Sequence, residues 1–326
     1  MVIKMNGSFD EVFASSGKLM VNIDKNDYVQ SLYVDSDGRI YLVGYSCNVY
    51  NYYSFVIRFN SDGNIDKSFG DSGRFVFDGD NYKKSASSLD SGAIVKSSYF
   101  DKNGKIYITG DLFRTDRKNF KDSDIFILRL LNNGKIDFSF ANNGKKIITD
   151  IFSKNSKEVS NFICVYEGEI ILGASAHGLS DNINYTSYTY STSFLMVFDI
   201  NGNVYKSFAE NGIKKFLNVS NINYFKGIGD VFYVAAGSSL IRLKSNGTID
   251  DSFGYKGKIV INDINFVNHK GFQEYYVGTG VMFTDIRSIL YYKDGVYVTF
   301  FYYPLYRNVE YHEKVDESFI LVMKVE

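Results

Sequence analysis

The chain has 326 residues, 45% hydrophobic and 17% aromatic, with 27 Tyr, 28 Phe, 28 Gly, no Trp and one Pro, enough apolar material for two average domains or one large all-β domain. Its net charge of −1 lacks the basic balance by which a nucleic-acid binder is recognised. No apolar run reaches the roughly 18 residues that a membrane-crossing helix needs.

The aromatic bias favours a pleated surface, and with only Pro304 available the turns fall to Gly, Asn and Asp. The opening residues, MVIKMNGSFD, hold no apolar h-region of a signal peptide. This predicts a cytoplasmic protein if Met1 is the true start, and an extracytoplasmic one (periplasm or cell surface) if the chain is a processed form. Residues Val2–Met5 read as a strand fragment. A motif, NGSFDEVFASSG, follows from Asn6, then a strand, GKLMVNI, at Gly17–Ile23.

From there one sentence is written repeatedly. A run VQSLYV meets DGRIYLVG (Asp37–Gly44) through a tight turn. SFVIRFN (Ser54–Asn60) comes next, then NSDGNIDKSFGDSG, then RFVF. The second repeat reads IVKSSYF, NGKIYITG, IFILRLL, NNGKIDFSFANNG, KKIIT. The third reads NFICVY, EGEIILG, FLMVFDI, NGNVYKSFAENG, IKKFL, and the fourth INYFK, GDVFYVAAG, LIRLK, SNGTIDDSFGYKG, KIVI. The chain ends with RSILYY, DGVYVTF and ESFILVMKVE. The strands of each repeat are labelled A to D. Asp-Gly and Asn-Gly between alternating runs predict hairpin turns with φ > 0 at both central residues.

A four-stranded sheet cannot bury both faces alone, so such repeats must stack. The expected fold is all-β: a five-bladed β-propeller of four-stranded antiparallel blades. It forms one domain over residues 1–326, with motifs near 6–23, 60–79, 132–151, 201–218 and 245–263. The last repeat has no D strand, so Gly17–Ile23 is expected to complete it and close the ring without an open edge. The surplus fragment Val2–Met5 leaves six blades as the alternative. Within the motif the first Gly makes the turn, and the Asp of "ID" (Asp66, Asp137, Asp250; Tyr205 in the fourth copy) caps backbone N–H groups. Ile65, Ile136, Val204 and Ile249 are expected to fill the space between blades with the motif Phe.

The pattern GKIYφxG…FφφxRφNxDGxIDxSFGxxGxφ resembles the bacterial delta-60 repeat family. The second and fifth motif copies are close, the first and fourth worn. The resemblance implies a propeller fold, imports no catalytic residue, and leans towards a subunit of a bacterial surface or secreted assembly. The Arg of strand C matches Arg58, Arg129 and Arg242 and is lost at Val197.

In an antiparallel blade the tight A–B turns and C–D motifs share one end. The variable B–C and D–A connections share the other, which is therefore the candidate functional face. Its connections carry Tyr52, Tyr53, Tyr185, Tyr188, Tyr190, Tyr303, Tyr306 and Tyr311, a residue type suited to interfaces but also to packing loops on a rim. The principal reading is a non-enzymatic scaffold that binds a protein partner or larger assembly, or a glycan. The rival is a carbohydrate-active hydrolase using two of the strand-start carboxylates Asp27, Asp90, Glu158 and Asp285. Nothing calls for a cofactor. His177, His269 and His312 lack short ligand spacing, Cys47 and Cys164 make no metal or redox spacing, and no phosphate loop or nucleophile elbow is present. Asp35-Ser-Asp-Gly and Asp101-Lys-Asn-Gly read as hairpin turns and not as calcium loops.

Overall fold

The computed structural model describes residues 6–48, 51–79, 91–113, 123–152, 156–179, 188–217, 219, 221–260, 281–293, 295–304 and 319–324. These residues form antiparallel sheets in the predicted order. The first repeat is β1 (Asn26–Val34), β2 (Ile40–Cys47), β3 (Asn51–Phe59) and β4 (Arg74–Phe77). The second is β5 (Ser91–Phe100), β6 (Ile106–Phe113), β7 (Ser123–Leu130) and β8 (Lys145–Ile148). The third is β9 (Lys157–Tyr166), β10 (Glu169–Leu179), β11 (Tyr188–Phe198) and β12 (Ile213–Leu217). The fourth is β13 (Ile222–Ile228), β14 (Val231–Ala236), β15 (Ser239–Lys244) and β16 (Lys258–Val260). The last is β17 (Val281–Tyr292), β18 (Gly295–Pro304) and β19 (Phe319–Lys324). The chain divides into two compact units, Met1–Tyr190 with Phe198–Val204 and Ser191–Val197 with Tyr205–Glu326.

Strands B and C carry the core because they are covered on both faces. β7 is buried along its whole length and β6 along nearly all of it, which is why both read as near-continuous apolar runs. The D strands are only three to five residues long, a length that blunts an edge. In the first unit, Tyr41, Val43, Val56 and Phe77 of the first repeat pack on Ala93, Val95, Ile108, Phe126 and Leu128 of the second. In the second unit, Tyr233, Ala235 and Leu240 of the fourth repeat pack on Ile286, Ile289, Val296 and Val298 of the last. Sheet faces thus bury each other, as stacking requires.

The motif explains itself at atomic level. The residue after the motif Phe donates its N–H to a turn carbonyl of the following copy: Ala14 to Asp62 at 2.8 Å, Gly70 to Asn133 at 2.7 Å, Ala141 to Asn201 at 2.8 Å and Ala209 to Asn246 at 2.8 Å. The Phe rings themselves are buried and lie over the turn Gly of that following copy. A Cβ on Gly134 would stand 2.7 Å from the Phe69 ring, one on Gly202 2.8 Å from Phe140, and one on Gly247 2.7 Å from Phe208. These glycines also sit at φ between +80° and +87°, so the position excludes a side chain twice over.

Beneath the Phe lies an ionic clasp. Arg58 Nε donates to Asp66 at 2.7 Å and its Nη2 to Ser68 at 2.9 Å, while the guanidinium stacks on Phe69 at 4.8 Å. Arg129 with Asp137, Ser139 and Phe140 repeats the geometry, as does Arg242 with Asp250, Ser252 and Phe253. Arg58 also reaches the Asn132 carbonyl of the next motif at 2.7 Å, and Arg129 reaches that of Ile200. The Asp cap is present as expected: Ser68, Ser139 and Ser252 N–H groups bond to Asp66, Asp137 and Asp250. In the fourth copy Val197 and Tyr205 occupy the Arg and Asp positions, yet the backbone bond from Tyr205 N–H to the Val197 carbonyl remains at 2.8 Å.

Three expectations are adjusted. Ile65 and Ile249 do not pack between repeats. They stay 37% and 39% exposed and tuck under the second Gly of their own motif, where a Cβ on Gly73 or Gly257 would meet them at 2.2 and 2.1 Å. The Asp37-Gly38 and Asn103-Gly104 turns, opened by Asp35 and Asp101, have only the Gly at positive φ. They are three-residue loops built on an Asx cap, with Asp35 accepting from the N–H of Asp37 and of Arg39 and Asp101 from those of Asn103 and Lys105. Among the A–B turns described in full, Glu167-Gly168 alone takes φ > 0 at both turn positions, 50° and 84°. Finally, Gly17–Ile23 joins no strand ladder, although Leu19, Val21 and Ile23 alternate inward against Leu42, Phe55, Ile57 and Phe59. Residues 2–5 lie outside the described residues.

Two stability predictions follow from the motif. Gly134→Ala, strained in φ and overlapping Phe69, is expected to cost about 2–4 kcal/mol. Gly168→Ala, at φ +84° with nothing within 4 Å, should cost only about 1 kcal/mol. Chemical denaturation compares the two, and equal losses would show that the ring-on-glycine contact carries no stability. Arg129→Val is expected to cost up to roughly 3–5 kcal/mol by leaving the buried Asp137 with Lys105, at 2.8 Å, as its remaining counter-ion. Arg129→Val with Asp137→Tyr, copying the fourth motif, should recover part of that loss.

Candidate functional site

The loop-bearing end is shaped by a β-bulge in every A strand. The register slips at Gln30, Lys96, Asn161, Asn223 and Arg287, with a second slip in the last repeat between Phe283 and Ile286, and the residues passed over are polar each time. In the first two repeats the bulge presses the A-strand backbone onto strand B, where a Cβ on Gly44 would lie 2.1 Å from the Tyr28 carbonyl and one on Gly110 2.0 Å from that of Ile94. That close approach explains the Gly ending of "YLVG" and "YITG". Bulges re-aim side chains next to functional sites, and here they deliver the A-strand starts to the variable end.

Two of the four predicted carboxylates can be placed in full, and both act as caps. Asp27 accepts N–H bonds from Ile23 at 2.8 Å and Asp24 at 3.3 Å, and the Ser46 hydroxyl at 2.6 Å. Glu158, fully buried, accepts from the Ser156 hydroxyl and from Ile151 N–H at 3.3 Å. Each stands three residues before its bulge and ties the incoming D–A connection to strand A. Asp285 lies on β17, and Asp90 is outside the described residues.

A carboxylate that sequence reasoning passed over sits beside Glu158. Asp111, at the loop end of β6, is buried. It accepts the Ser160 N–H of β9 at 2.9 Å and faces Lys96 Nζ at 3.6 Å. Burial pushes its pKa up to about 6, against the pull of Lys96, the Ser160 N–H and Lys157. Ser123 donates to the Glu158 carbonyl at 2.7 Å, and Thr109 pairs with Ser160 at 2.8 Å. His177, paired in register with Lys157, has its pKa lowered by burial and by that lysine. The result is a buried polar cluster where the second and third repeats meet within the first unit. Among the described residues no group of three or more His, Cys, Asp or Glu is placed to hold a metal ion; His269 and His312 lie outside them.

The predicted tyrosines divide. Tyr52 and Tyr53 belong to β3 and not to a loop. Tyr53 donates its hydroxyl to Asp24 and accepts from Asn48 Nδ2 at 3.1 Å; burial and the Asp24 bond push its pKa up to about 12. Tyr52 enters an aromatic strip whose other members the sequence did not announce. Tyr28 stacks on Tyr45 with centroids 4.8 Å apart, Tyr45 is 6.4 Å from Tyr52, and Tyr52 is 5.6 Å from Phe113. The last step spans Gly92, which is in register with both Tyr52 and Phe113 and has no side chain to hold the rings apart. Tyr188 and Tyr190 lie on β11 and Tyr303 on β18, while Tyr185, Tyr306 and Tyr311 are outside the described residues.

A family model described as "Domain of unknown function (DUF5122) beta-propeller" matches residues 36–69. That stretch runs from the first A–B turn through strands B and C to the motif Phe69, and the match supports a propeller-type repeat. Among solved structures the chain is similar to one titled "Crystal structure of polysaccharide lyase Uly1", with a TM-score of 0.53 and 10% sequence identity over 91% of this chain and 58% of that one. The chain thus spans a little over half of that protein's length, and at this identity the likeness is one of fold. No curated protein matches the chain. Among the described residues no helix is long and apolar enough to cross a membrane.

The Asp111 environment gives a pH prediction. Its folded pKa lies above the unfolded value, so its stabilising contribution is complete below the unfolded carboxylate range, near pH 4, and is lost as pH rises through about 6. Asp111→Asn keeps an acceptor for Ser160 and removes the buried charge. It should raise stability by roughly 1–2 kcal/mol at pH 8 and change little at pH 4. Thermal melts across this range check it, and an equal effect at both pH values would refute the assignment.

Proposed function

We propose that the chain is a non-enzymatic recognition protein, a five-bladed propeller that presents its loop-bearing end to a protein or glycan partner. Closure in this reading comes from Gly17–Ile23 completing the last repeat. It is supported by the inward alternation of Leu19, Val21 and Ile23 against strands B and C of the first repeat. Membership of an extracytoplasmic or surface assembly rests on the repeat resemblance alone.

The observation that carries the reading is the use to which the strand-start carboxylates are put. A catalytic carboxylate pair must face a substrate across an open gap. Asp27 instead commits both oxygens to the N–H groups of Ile23 and Asp24 and to the Ser46 hydroxyl, and Glu158 commits its Oε1 to the Ile151 N–H and the Ser156 hydroxyl. The opposite end is fixed by the motif contacts, so variation is confined to the B–C and D–A connections, where binding residues concentrate on rigid scaffolds.

A second reading, a carbohydrate-active enzyme, draws on two observations. A protein of similar fold is titled a polysaccharide lyase, and Asp111, with a pKa near 6, sits 3.6 Å from Lys96, a pairing of the kind found at functional sites.

Deleting residues 181–186 from the B–C connection of the third repeat is expected to weaken partner capture about tenfold or more while leaving the melting temperature nearly unchanged. Polysaccharide turnover, followed as new reducing ends or as unsaturated-sugar absorbance, should stay at background. Turnover that vanishes in Asp27→Asn, Glu158→Gln or Asp111→Asn would replace this reading with the second.

A further inference from the structure

We propose that Asn6 is a site of covalent self-modification: the Gly7 nitrogen closes onto its side-chain amide to form a succinimide, which water opens to aspartate and isoaspartate. The inference is independent of what the loop-bearing end binds. Asn-Gly occurs seven times in the chain, and glycine leaves the attacking nitrogen unshielded because it has no Cβ. Six of the seven turns are held shut. The N–H of Gly104 donates to Asp101 at 3.0 Å, that of Gly134 to Leu131 at 2.9 Å and that of Gly144 to Phe140 at 2.7 Å. Gly202 donates to Asp199 at 3.0 Å, Gly212 to Phe208 at 2.7 Å and Gly247 to Lys244 at 2.9 Å. A nitrogen so engaged keeps its proton, so reaction there waits for local opening. Among the described residues the Gly7 N–H has no such acceptor.

The fifth motif copy isolates what differs at Asn6. Asn6-Gly7-Ser8 and Asn246-Gly247-Thr248 share their local chemistry. Gly7 and Gly247 sit at φ +85° and +81°. Asn6 Oδ1 accepts the Ser8 N–H at 3.1 Å and the Ser8 hydroxyl at 2.8 Å, and Asn246 Oδ1 accepts the same pair from Thr248 at 3.0 and 2.7 Å. In both turns these donors polarise the amide and stabilise the oxyanion that attack on Cγ creates. The difference comes from the preceding motif. The Asn246 carbonyl accepts the Ala209 N–H at 2.8 Å, and a Cβ on Gly247 would stand 2.7 Å from the Phe208 ring. The fourth copy therefore clamps the turn of the fifth. A Cβ on Gly7 would meet nothing within 4 Å, and among the described residues no N–H donates to the Asn6 carbonyl. Asn6 is also exposed. The ring-on-glycine contact thus shields its turn from chemistry as well as fixing it, and the first copy stands outside that shield.

The reaction balances with water alone. Hydroxide takes the Gly7 N–H proton and the nitrogen bonds to Asn6 Cγ. The Cγ–Nδ2 bond breaks, and Nδ2 leaves as ammonia, taking a proton back from water. A second water opens the imide at either carbonyl. One opening gives aspartate, and the other gives isoaspartate, whose main chain runs through the side-chain Cγ. Either product carries one more negative charge than the net −1 of the unmodified chain.

The test incubates the full chain in mildly alkaline buffer, folded and in guanidinium chloride, and follows each Asn-Gly peptide by mass spectrometry, with isoaspartate resolved by its separate elution. In the folded chain Asn6 is expected to convert about tenfold or more faster than Asn246. In denaturant, where both turns are open, the two rates should come together. Asn6→Ala should remove both the early ammonia release and the acidic band that the wild type develops on isoelectric focusing, with melting curves establishing that it folds. The proposal is overturned if Asn6 and Asn246 convert at equal rates in the folded chain, if one of the six bonded turns converts first, or if the lead of Asn6 is as large in denaturant as in the folded chain.

Discussion

The architecture depends on one contact: a phenylalanine ring laid over the turn glycine of the following motif, locked by a backbone N–H to a carbonyl of that same turn. The contact is written by local sequence but satisfied only by the next repeat, so it fixes the step from one sheet to the next. Each component has a separate physical reason. The ring removes apolar area from water, the glycine permits both the close approach and the left-handed turn, and the hydrogen bond satisfies a donor that burial would otherwise strand. The four steps from Ala14→Asp62 to Ala209→Asn246 vary by only 0.1 Å in donor–acceptor distance, although the flanking sequences differ widely.

The ionic clasp beneath the ring is secondary, and the fourth motif copy shows why. There Arg and Asp are replaced together, by Val197 and Tyr205, and the backbone bonds around them persist. Exchanging both members of a buried pair for apolar groups removes two desolvation penalties with one attraction, whereas losing either member alone leaves a buried charge. Asp137 shows the other side of this balance. Burial opposes its ionised form, yet Lys105, Ser139 and Arg129 together hold its carboxyl well below the usual range. That contribution is complete above the unfolded carboxylate pKa and is lost as pH falls below it. The clasp therefore tunes a geometry that the Phe–Gly contact already specifies.

What could be read from the sequence followed the range of the interactions. The four-strand repeat, the buried B and C strands and the asymmetry of the two ends were legible because they depend on residues within about one repeat. The turn chemistry was legible as turns but not as types: the Asx caps of Asp35 and Asp101 select a three-residue loop that Asp-Gly alone does not reveal. The destination of Ile65 was misjudged because glycine at position 73 opens space inside the motif, which no pattern of apolar residues displays. Asp111 and the aromatic strip were missed for a common reason. The buried state of Asp111 is created by Ser160, some fifty residues on, and the strip is assembled from four strands across two repeats. Tyr52 was identified by composition, Tyr28 and Phe113 only by register.

The bulges connect these two levels. An extra residue in strand A shifts every later side chain by one position relative to strand B, so the end beyond the bulge presents a different face from the one the motif end presents. Where strand B supplies Gly44 or Gly110 opposite, the A-strand carbonyl can move onto it, and the strand bends without a clash. The starts of strand A are thereby freed from the regular alternation that builds the core. Asp27 and Glu158 use that freedom to cap the incoming connection. With those backbone groups satisfied from strand A itself, the connections can differ in length and composition at little cost to the sheets that hold them. A rim that secures its own ends in this way can diversify while the motif rim stays constant, and that division of labour is what makes the variable end the place to look for a ligand.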